Sequence, residues 1–384
     1  MADIVVIGGG ITGTAAAFWL ASGGHRPVLL EGRAVAAMGS GWSLGGVRQS
    51  GRHPAELPLA QAAVALWPTL ADRLGNDTEF RQRGNLRLAR TEAEVEVIRR
   101  LVESQCALGL DLAFLPTTAD IRAVAPALAG TPLAASLCPT DGHANPAMTT
   151  RAFAAAARRS GATIREGVTV TGIAVEGGKV AGVTSSEGRI TADVVIVAAG
   201  IGTPALLAPL GHALPLSVQI VSVLQSTPLP PLLDQVLGVA NADCAARQEV
   251  DGRLRFTSGV GRWPGDPARW SDAALAPGPG EIARLRALVG ALLPAAADAP
   301  LAASWGGLID LTPDALPVID RPDGIEGLVV AAGFSGHGFG IGPITGALAA
   351  DLALGLPPRL AVDAFRLDRF AHPSGPAASL TLHG

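Results

Sequence analysis

The chain has 384 residues, 48% hydrophobic and 16% charged, enough apolar sequence to bury the cores of about two domains and too little charge for a disordered chain. A net charge of −4, with no basic run interleaved with aromatics, gives no electrostatic footprint for nucleic acid. Cys106, Cys138 and Cys244 form neither a CxxC pair nor an even disulfide framework, so reduced thiols in a cytoplasmic protein are expected.

Residues 4–7 are a β-branched run backed by turn glycines, and the alanine-rich residues 12–20 follow, so strand, turn and helix are expected in succession. A strand this close to Met1 leaves no place for a signal peptide. A second apolar run, 27–30, ends at Glu31 and completes a βαβ unit in about 30 residues. The glycine-rich stretch 39–46 reads as a loop, 58–74 as helix, 86–88 as strand and 92–108 as helix. Helix is expected again over 145–160, then one strand over 164–173. Gly177 and Gly178, set between Val175 and Val180, suit a tight hairpin turn. The continuous apolar run 193–199 has the character of a strand covered on both faces. The most apolar stretch, 194–210, is broken by Gly200, Gly202, Pro204 and Pro209, so no integral membrane segment is expected. Residues 216–301 carry more proline and looser strand signals, 253–258 among them, and suit a separate substrate-facing sheet. A last parallel-type strand over 327–332, a glycine-rich loop, a helix over 345–354 and a loose tail over 373–384 complete the chain.

Gly8-Gly9-Gly10-Ile11-Thr12-Gly13 satisfies GxGxxG in the context its mechanism requires, after a strand and before a helix. Gly8 permits the tight turn, Gly10 lets the backbone approach a pyrophosphate and Gly13 allows helix to pack closely on strand. The helix N-terminus offers free N–H groups and partial positive charge to phosphates. Glu31 is placed to accept hydrogen bonds from adenosine ribose hydroxyls and disfavours a 2′-phosphate. The fingerprint alone does not separate NAD from FAD.

Several separated segments decide between the two. IVVIGGGITGTAAAFWLASGG, GSGWSLGGVRQS, DGHANPAMTTRAFAAAARRSGATIREGVTVTGI, ADVVIVAAG, SWGGLIDLTPDALPVID and GLVVAAGFSGHGFGIGPITGALAADLALG lie in order over nearly the whole chain. Together they resemble the D-amino-acid oxidase, glycine oxidase and sarcosine oxidase superfamily of FAD enzymes, nearest to the β subunits of sarcosine oxidases, opine oxidases and amine-type proline or hydroxyproline dehydrogenases. One departure favours that branch: the position where glycine oxidase-like enzymes carry a carboxylate-binding arginine is Ile309 here. Tyrosine, which shares that task in several relatives, is absent from the whole sequence.

The resemblance implies an α/β fold. A Rossmann-type, glutathione-reductase-like FAD-binding domain would be assembled from 1–85, 145–215 and 302–372, and an α+β substrate domain on an antiparallel sheet from 86–144 and 216–301. It implies non-covalent FAD held by Gly8, Gly10, Ile11, Thr12 and Gly13, by Glu31, Gly32 and Arg33, and by Ser40, Ser43, Leu44, Gly45 and Gly46. Val170 would meet the adenine through its backbone, Ala199 and Gly200 would approach the cofactor at a strand end, and the loop Gly333, Ser335, Gly336, His337, Gly338, Phe339, Gly340 would bend around the isoalloxazine.

Amine oxidation by a flavin needs a neutral amine with a C–H bond aimed at flavin N5, so positioning is the protein's main task. Arg48, in GGVRQ, falls where sarcosine oxidase-like enzymes present a guanidinium fork to the substrate carboxylate. Arg247 is the second carboxylate candidate. His337 is placed to hydrogen-bond flavin O2 or to help hold the amine neutral. His53 is a candidate for covalent flavin attachment, His143 reads as structural, and Asp314 reads as a turn cap. No histidine spacing fits a metal site. Some relatives promote reaction with oxygen through a lysine beside the flavin, whereas the sole lysine here, Lys179, falls in the hairpin turn. A dehydrogenase passing electrons to a quinone or a partner subunit is therefore expected, acting on proline, sarcosine or opine-type amino acids. The alternatives are a D-amino acid or glycine oxidase, a flavin-bearing subunit active only in a hetero-oligomer, and an NAD enzyme or non-redox Rossmann module.

Overall fold

The computed structural model describes residues 3–267 and 269–371; the expected tail at 373–384 lies outside them. The short apolar runs form one six-stranded sheet. Its order is Val318–Asp320, Leu328–Ala332, Val194–Val197, Ile4–Ile7, Val28–Glu31, Thr163–Glu166. All neighbours are parallel except the outermost Val318–Asp320. The inner strands are covered on both faces, so no polar residue needs to alternate with the apolar ones.

The helix Ile11–Ser22 packs between Pro146–Arg159 and Gly338–Ala353. Asn145 caps Pro146–Arg159, its side-chain oxygen accepting from the Met148 amide at 3.1 Å. The last helix begins at Gly338, not at the expected 345. Its first turns are glycine-rich because the helix Ile11–Ser22 lies against them: a Cβ on Gly342 would stand 2.4 Å from Ile11 Cγ2, and one on Gly346 2.5 Å from Ala15 Cβ. Close helix contact outweighs glycine's poor propensity.

A second, nine-stranded sheet draws its strands from 85–138 and 217–311. It is antiparallel except where Asn85–Ala89 runs parallel to Val236–Val239, the seam between the two chain segments. Leu301–Leu311, most of which the sequence assigns to the nucleotide-binding part, pairs along Ser217–Pro228 in this sheet. Its far end returns to the first sheet, where Asp310 Oδ2 accepts from the Gly333 amide at 2.9 Å.

Two further expectations are corrected. The single strand over 164–173 is two strands in different sheets, Thr163–Glu166 and Val170–Glu176, with the chain turning at Gly167, whose φ of 75° favours glycine. The loop 39–46 contains a one-turn helix, Gly39–Trp42, and a short strand, Gly46–Val47, that pairs with Gly142–His143. Among the described residues, no helix is long and apolar enough to cross a membrane.

Candidate active site

The two sheets enclose a cavity of 760 Å³ between the carboxyl ends of the parallel strands and the inner face of the antiparallel sheet. At one end lies the glycine turn. A Cβ on Gly8 would sit 2.3 Å from the Ala198 carbonyl oxygen and one on Gly13 2.0 Å from that of Gly8, so both positions hold strand and helix together. Gly10 differs: its Cβ would meet only the Ser40 hydroxyl, at 3.0 Å, and would otherwise project into the cavity. No side chain caps the helix at Gly10, and the Ile11 amide donates to Ser40 Oγ at 2.9 Å. Glu31 closes this end, with Oε2 accepting from the Gly9 amide at 2.6 Å and Oε1 from the Arg33 amide at 2.7 Å. A helix N-terminus beside a space that any side chain at Gly10 would enter, followed by a carboxylate at the second strand's end, matches a pyrophosphate and a ribose. The residues present therefore fit a flavin dinucleotide.

Most of the expected cofactor residues line the cavity. Ile11, Thr12, Gly32, Arg33 and Val170 are at the Glu31 end, Ala199 and Gly200 at the end of Val194–Val197, and Ser40, Ser43, Leu44, Gly45 and Gly46 along one side. Gly336, Gly338, Phe339 and Gly340 close the other side. Two tryptophans not singled out in the sequence join them: Trp270 packs edge-to-face on Trp42 at 6.2 Å and lies under the Arg33 guanidinium at 4.2 Å.

Arg48 lines the opposite end of the cavity and is nearly buried, with Nη1 donating to the Ser50 carbonyl at 3.1 Å. Arg52, Asn85 and Arg87 join it there. Burial lowers the Arg48 pKa well below its ordinary value, and repulsion from Arg52 and Arg87 lowers it further. Arg87 falls to about 10 through burial and the same repulsion. Behind the arginines, Asp141 takes the Gln49 amide at 2.8 Å and the Ser50 hydroxyl at 2.5 Å. Nothing in the local sequence marks Arg87, which stands between Leu86 and Leu88 with the alternation of a strand facing water. The Rossmann-type unit covers that face.

Five expected residues do not reach the cavity wall. Gly13 packs on Gly8, while Gly333 and Ser335 sit behind the wall, with Ser335 Oγ bonded to Thr312. His337 is turned away, its Nδ1 meeting Glu56 at 3.0 and 3.2 Å. Burial and then Arg52 keep its imidazole below its ordinary pKa, so the Nδ1 hydrogen donates to the Glu56 carboxylate. Its side chain therefore braces the loop from behind and does not line the cavity. Arg247 is 2% exposed and grips the loop as well: its Nε donates to the Leu44 carbonyl, its Nη1 lies 3.2 Å from His143 Nδ1, and Arg255 Nη1 holds the Ser43 carbonyl at 2.9 Å. Both arginines fix the glycine-rich wall. His143 is pushed down to about 3 by burial and Arg247, consistent with a structural role, and His53 is exposed on the surface. Asp314 takes the Leu316 amide and an ion pair with Arg369.

Glu56 had no signal in the sequence, since its partners lie far along the chain or in the next turn. Burial opposes its ionisation, but His337, Arg52 and Arg48 outweigh burial and hold it at about 2 against an ordinary 4.5. Its stabilising contribution is complete above pH 4.5 and is lost as pH falls toward 2. Glu56→Gln is expected to cost about 3 kcal/mol at neutral pH. In denaturant melts the gap from wild type should narrow between pH 4.5 and the lowest pH at which both fold. A gap that does not change with pH would contradict this.

The fold and the cavity define a dinucleotide-dependent oxidoreductase. A family model described as FAD dependent oxidoreductase, the DAO family, matches residues 3–352. The chain belongs to that family and is an FAD-dependent amino acid oxidoreductase. It is 30% identical to the sarcosine oxidase subunit beta of Arthrobacter sp over 352 residues, covering 88% of this chain and 83% of that protein. The crystal structure of glycine oxidase from Geobacillus kaustophilus superposes with a TM-score of 0.89 at 26% identity, covering 97% of this chain and 99% of that one. L-proline dehydrogenase from P. horikoshii superposes with a TM-score of 0.87 at 27% identity, covering 96% and 98%.

Proposed function

We propose that this enzyme oxidises a small secondary or N-substituted amino acid of the proline, hydroxyproline, sarcosine or opine type, and that it works as a dehydrogenase. Bound in the cavity, FAD supplies a hydride acceptor for the C–H bond next to the substrate nitrogen, leaving an imine. The chain's own residues bind and orient. Arg48 offers a guanidinium fork to the substrate carboxylate from a nearly buried position on the cavity wall, where a bidentate charge-assisted pair fixes both position and direction. This buried, cavity-lining Arg48 is the observation that carries the reading. Ile309 lines the cavity where glycine oxidase-like relatives would place their arginine, which favours the secondary-amine branch. Gly10, Ile11 and Thr12 would hold the pyrophosphate, Glu31 the ribose, and Gly338, Phe339 and Gly340 the ring end. The division of the chain into a cofactor part and a substrate part belongs to the same proposal.

Lys179 supports the choice of acceptor. It pairs with Glu326 at 2.7 Å on the surface, with 65% of its side chain exposed, and does not line the cavity. The holoenzyme should be bleached anaerobically by sarcosine, proline or an opine-type amino acid, and in air most electrons should reach an added quinone or dye. Rapid turnover in air with stoichiometric peroxide and no added acceptor would overturn the dehydrogenase reading. Bleaching by D-alanine or glycine alone would overturn the secondary-amine reading.

A further inference from the structure

Three consecutive carbonyls of the glycine-rich wall are each held by a side chain from the antiparallel sheet. Trp305 Nε1 donates to the Trp42 carbonyl at 2.9 Å, Arg255 Nη1 to that of Ser43 at 2.9 Å, and Arg247 Nε to that of Leu44. The donors stand on three strands, Leu301–Leu311, Arg253–Ser258 and Cys244–Gln248. One buried carboxylate anchors both guanidinium groups: Glu249 Oε1 lies 3.2 Å from Arg247 Nη2 and 2.8 Å from Arg255 Nη2, while Oε2 accepts from Gln225 Nε2 at 2.5 Å. Planar forks fixed at one end hold the backbone at the other with little freedom left to lose.

The peptide bonds here are trans, so the C=O and N–H of each point in opposite directions. Drawing back the Ser43 carbonyl turns the Leu44 amide away from Arg255, and drawing back the Leu44 carbonyl turns the Gly45 amide away from Arg247. Neither amide donates to another group among the described residues, whereas the Ser43 amide is taken up by the Gly39 carbonyl at 3.2 Å. Ser43, Leu44 and Gly45 line the cavity; Arg247, Arg255 and Trp305 stand behind them and do not. Gly45 lets the chain press this closely on its anchors, because at its φ of 84° a Cβ would stand 2.4 Å from the Ala144 carbonyl oxygen and 3.2 Å from Arg247 Nη2.

We propose that Arg247 and Arg255 are positioning residues for the oxidation: by holding the Ser43 and Leu44 carbonyls they aim the amides of Leu44 and Gly45 at the bound flavin, as a donor pair for the negative charge it gains on reduction. Dipoles fixed in advance cost no reorganisation when charge arrives, so the pair favours reduced over oxidised FAD. This goes beyond the substrate reading, since any amine or chemical reductant places the same charge on the ring.

The midpoint potential of bound FAD, measured by dye equilibration during chemical reduction, tests this without any amine; flavin content, melting temperature and stopped-flow reduction are read beside it. Arg255→Gln should weaken the preference for reduced FAD about tenfold, or about 30 mV for a two-electron couple. The limiting rate of reduction should fall with it, while the apparent dissociation constant of the amine stays unchanged. Arg255→Lys keeps a donor for the Ser43 carbonyl and should recover part of the potential. Phe256→Leu is the contrast: it loosens the buried core beside Arg255, touches no wall carbonyl, and should lower the melting temperature with the potential unmoved. Trp305→Phe removes only the N–H held by the Trp42 carbonyl and keeps the ring, so it should shift the potential in the same direction as Arg255→Gln and by less. An unchanged potential in flavin-loaded Arg255→Gln, or an equal fall in Phe256→Leu, overturns the inference. Should Arg255→Gln yield no holoenzyme, an unmoved potential in Trp305→Phe overturns it instead. Failure of every secondary amine to bleach the flavin would sink the substrate reading and leave this measurement intact.

Discussion

Gly10→Asp is expected to give a folded but colourless protein, with FAD affinity reduced at least ~100-fold. A Cβ at this position meets only the Ser40 hydroxyl, which can rotate away, so the substitution leaves the strand–helix contact intact. The added carboxylate instead occupies the space before the helix, takes the amides that a phosphate would use and repels the phosphate itself. Two lost charge-assisted hydrogen bonds at about 1.5–3 kcal/mol each account for the magnitude. Gly13→Ala is the contrast, because its Cβ would stand 2.0 Å from the Gly8 carbonyl and must push helix from strand. It should lower the melting temperature of the apoprotein, whereas Gly10→Asp should not. Flavin absorbance per purified chain and apoprotein melting curves check both. Full flavin content in Gly10→Asp would remove the pyrophosphate from this end of the cavity.

The second large effect falls on Arg48. Arg48→Gln should keep its flavin yet lose about 10³-fold in kcat/KM, the cost of about 4 kcal/mol expected when one partner of a buried charged pair is removed. Arg48→Lys keeps the charge without the planar fork, so it should recover part of the affinity and little of the orientation. Stopped-flow reduction separates these, since the apparent dissociation constant reports carboxylate binding and the limiting rate reports alignment of the C–H bond. Unchanged saturation behaviour in Arg48→Gln would move the carboxylate site elsewhere.

Legibility in the sequence followed locality. The glycine turn and Glu31 could be read because each requirement there is imposed by neighbours in the same βαβ unit, on φ angles, close packing and a strand end. The family resemblance then pointed to the glycine-rich loop and to Arg48, and Arg48, Gly336, Gly338, Phe339 and Gly340 line the cavity. Side chains whose surroundings come from distant segments were less legible. His337 stands among the glycines that line the cavity, yet its ring meets Glu56, 281 residues away, behind the wall. Arg247 stands near the end of the strand Cys244–Gln248, which is buried throughout, so the guanidinium meets the Leu44 carbonyl and His143. Arg87 sits in a pattern that on an open sheet faces solvent. Only closure of the first sheet over the second turns that face into a cavity wall. Arg52, four residues past Arg48 in a turn, has no periodicity to mark it at all.

Titration of the flavin-free protein with FAD, with NAD as the control, tests the central claim most directly. FAD should bind saturably, with its absorption shifted and its fluorescence altered by the enclosed site, and NAD should not compete at equal concentration. An apoprotein that folds, shows the melting behaviour of the intact chain and takes up no FAD would contradict the assignment of this cavity.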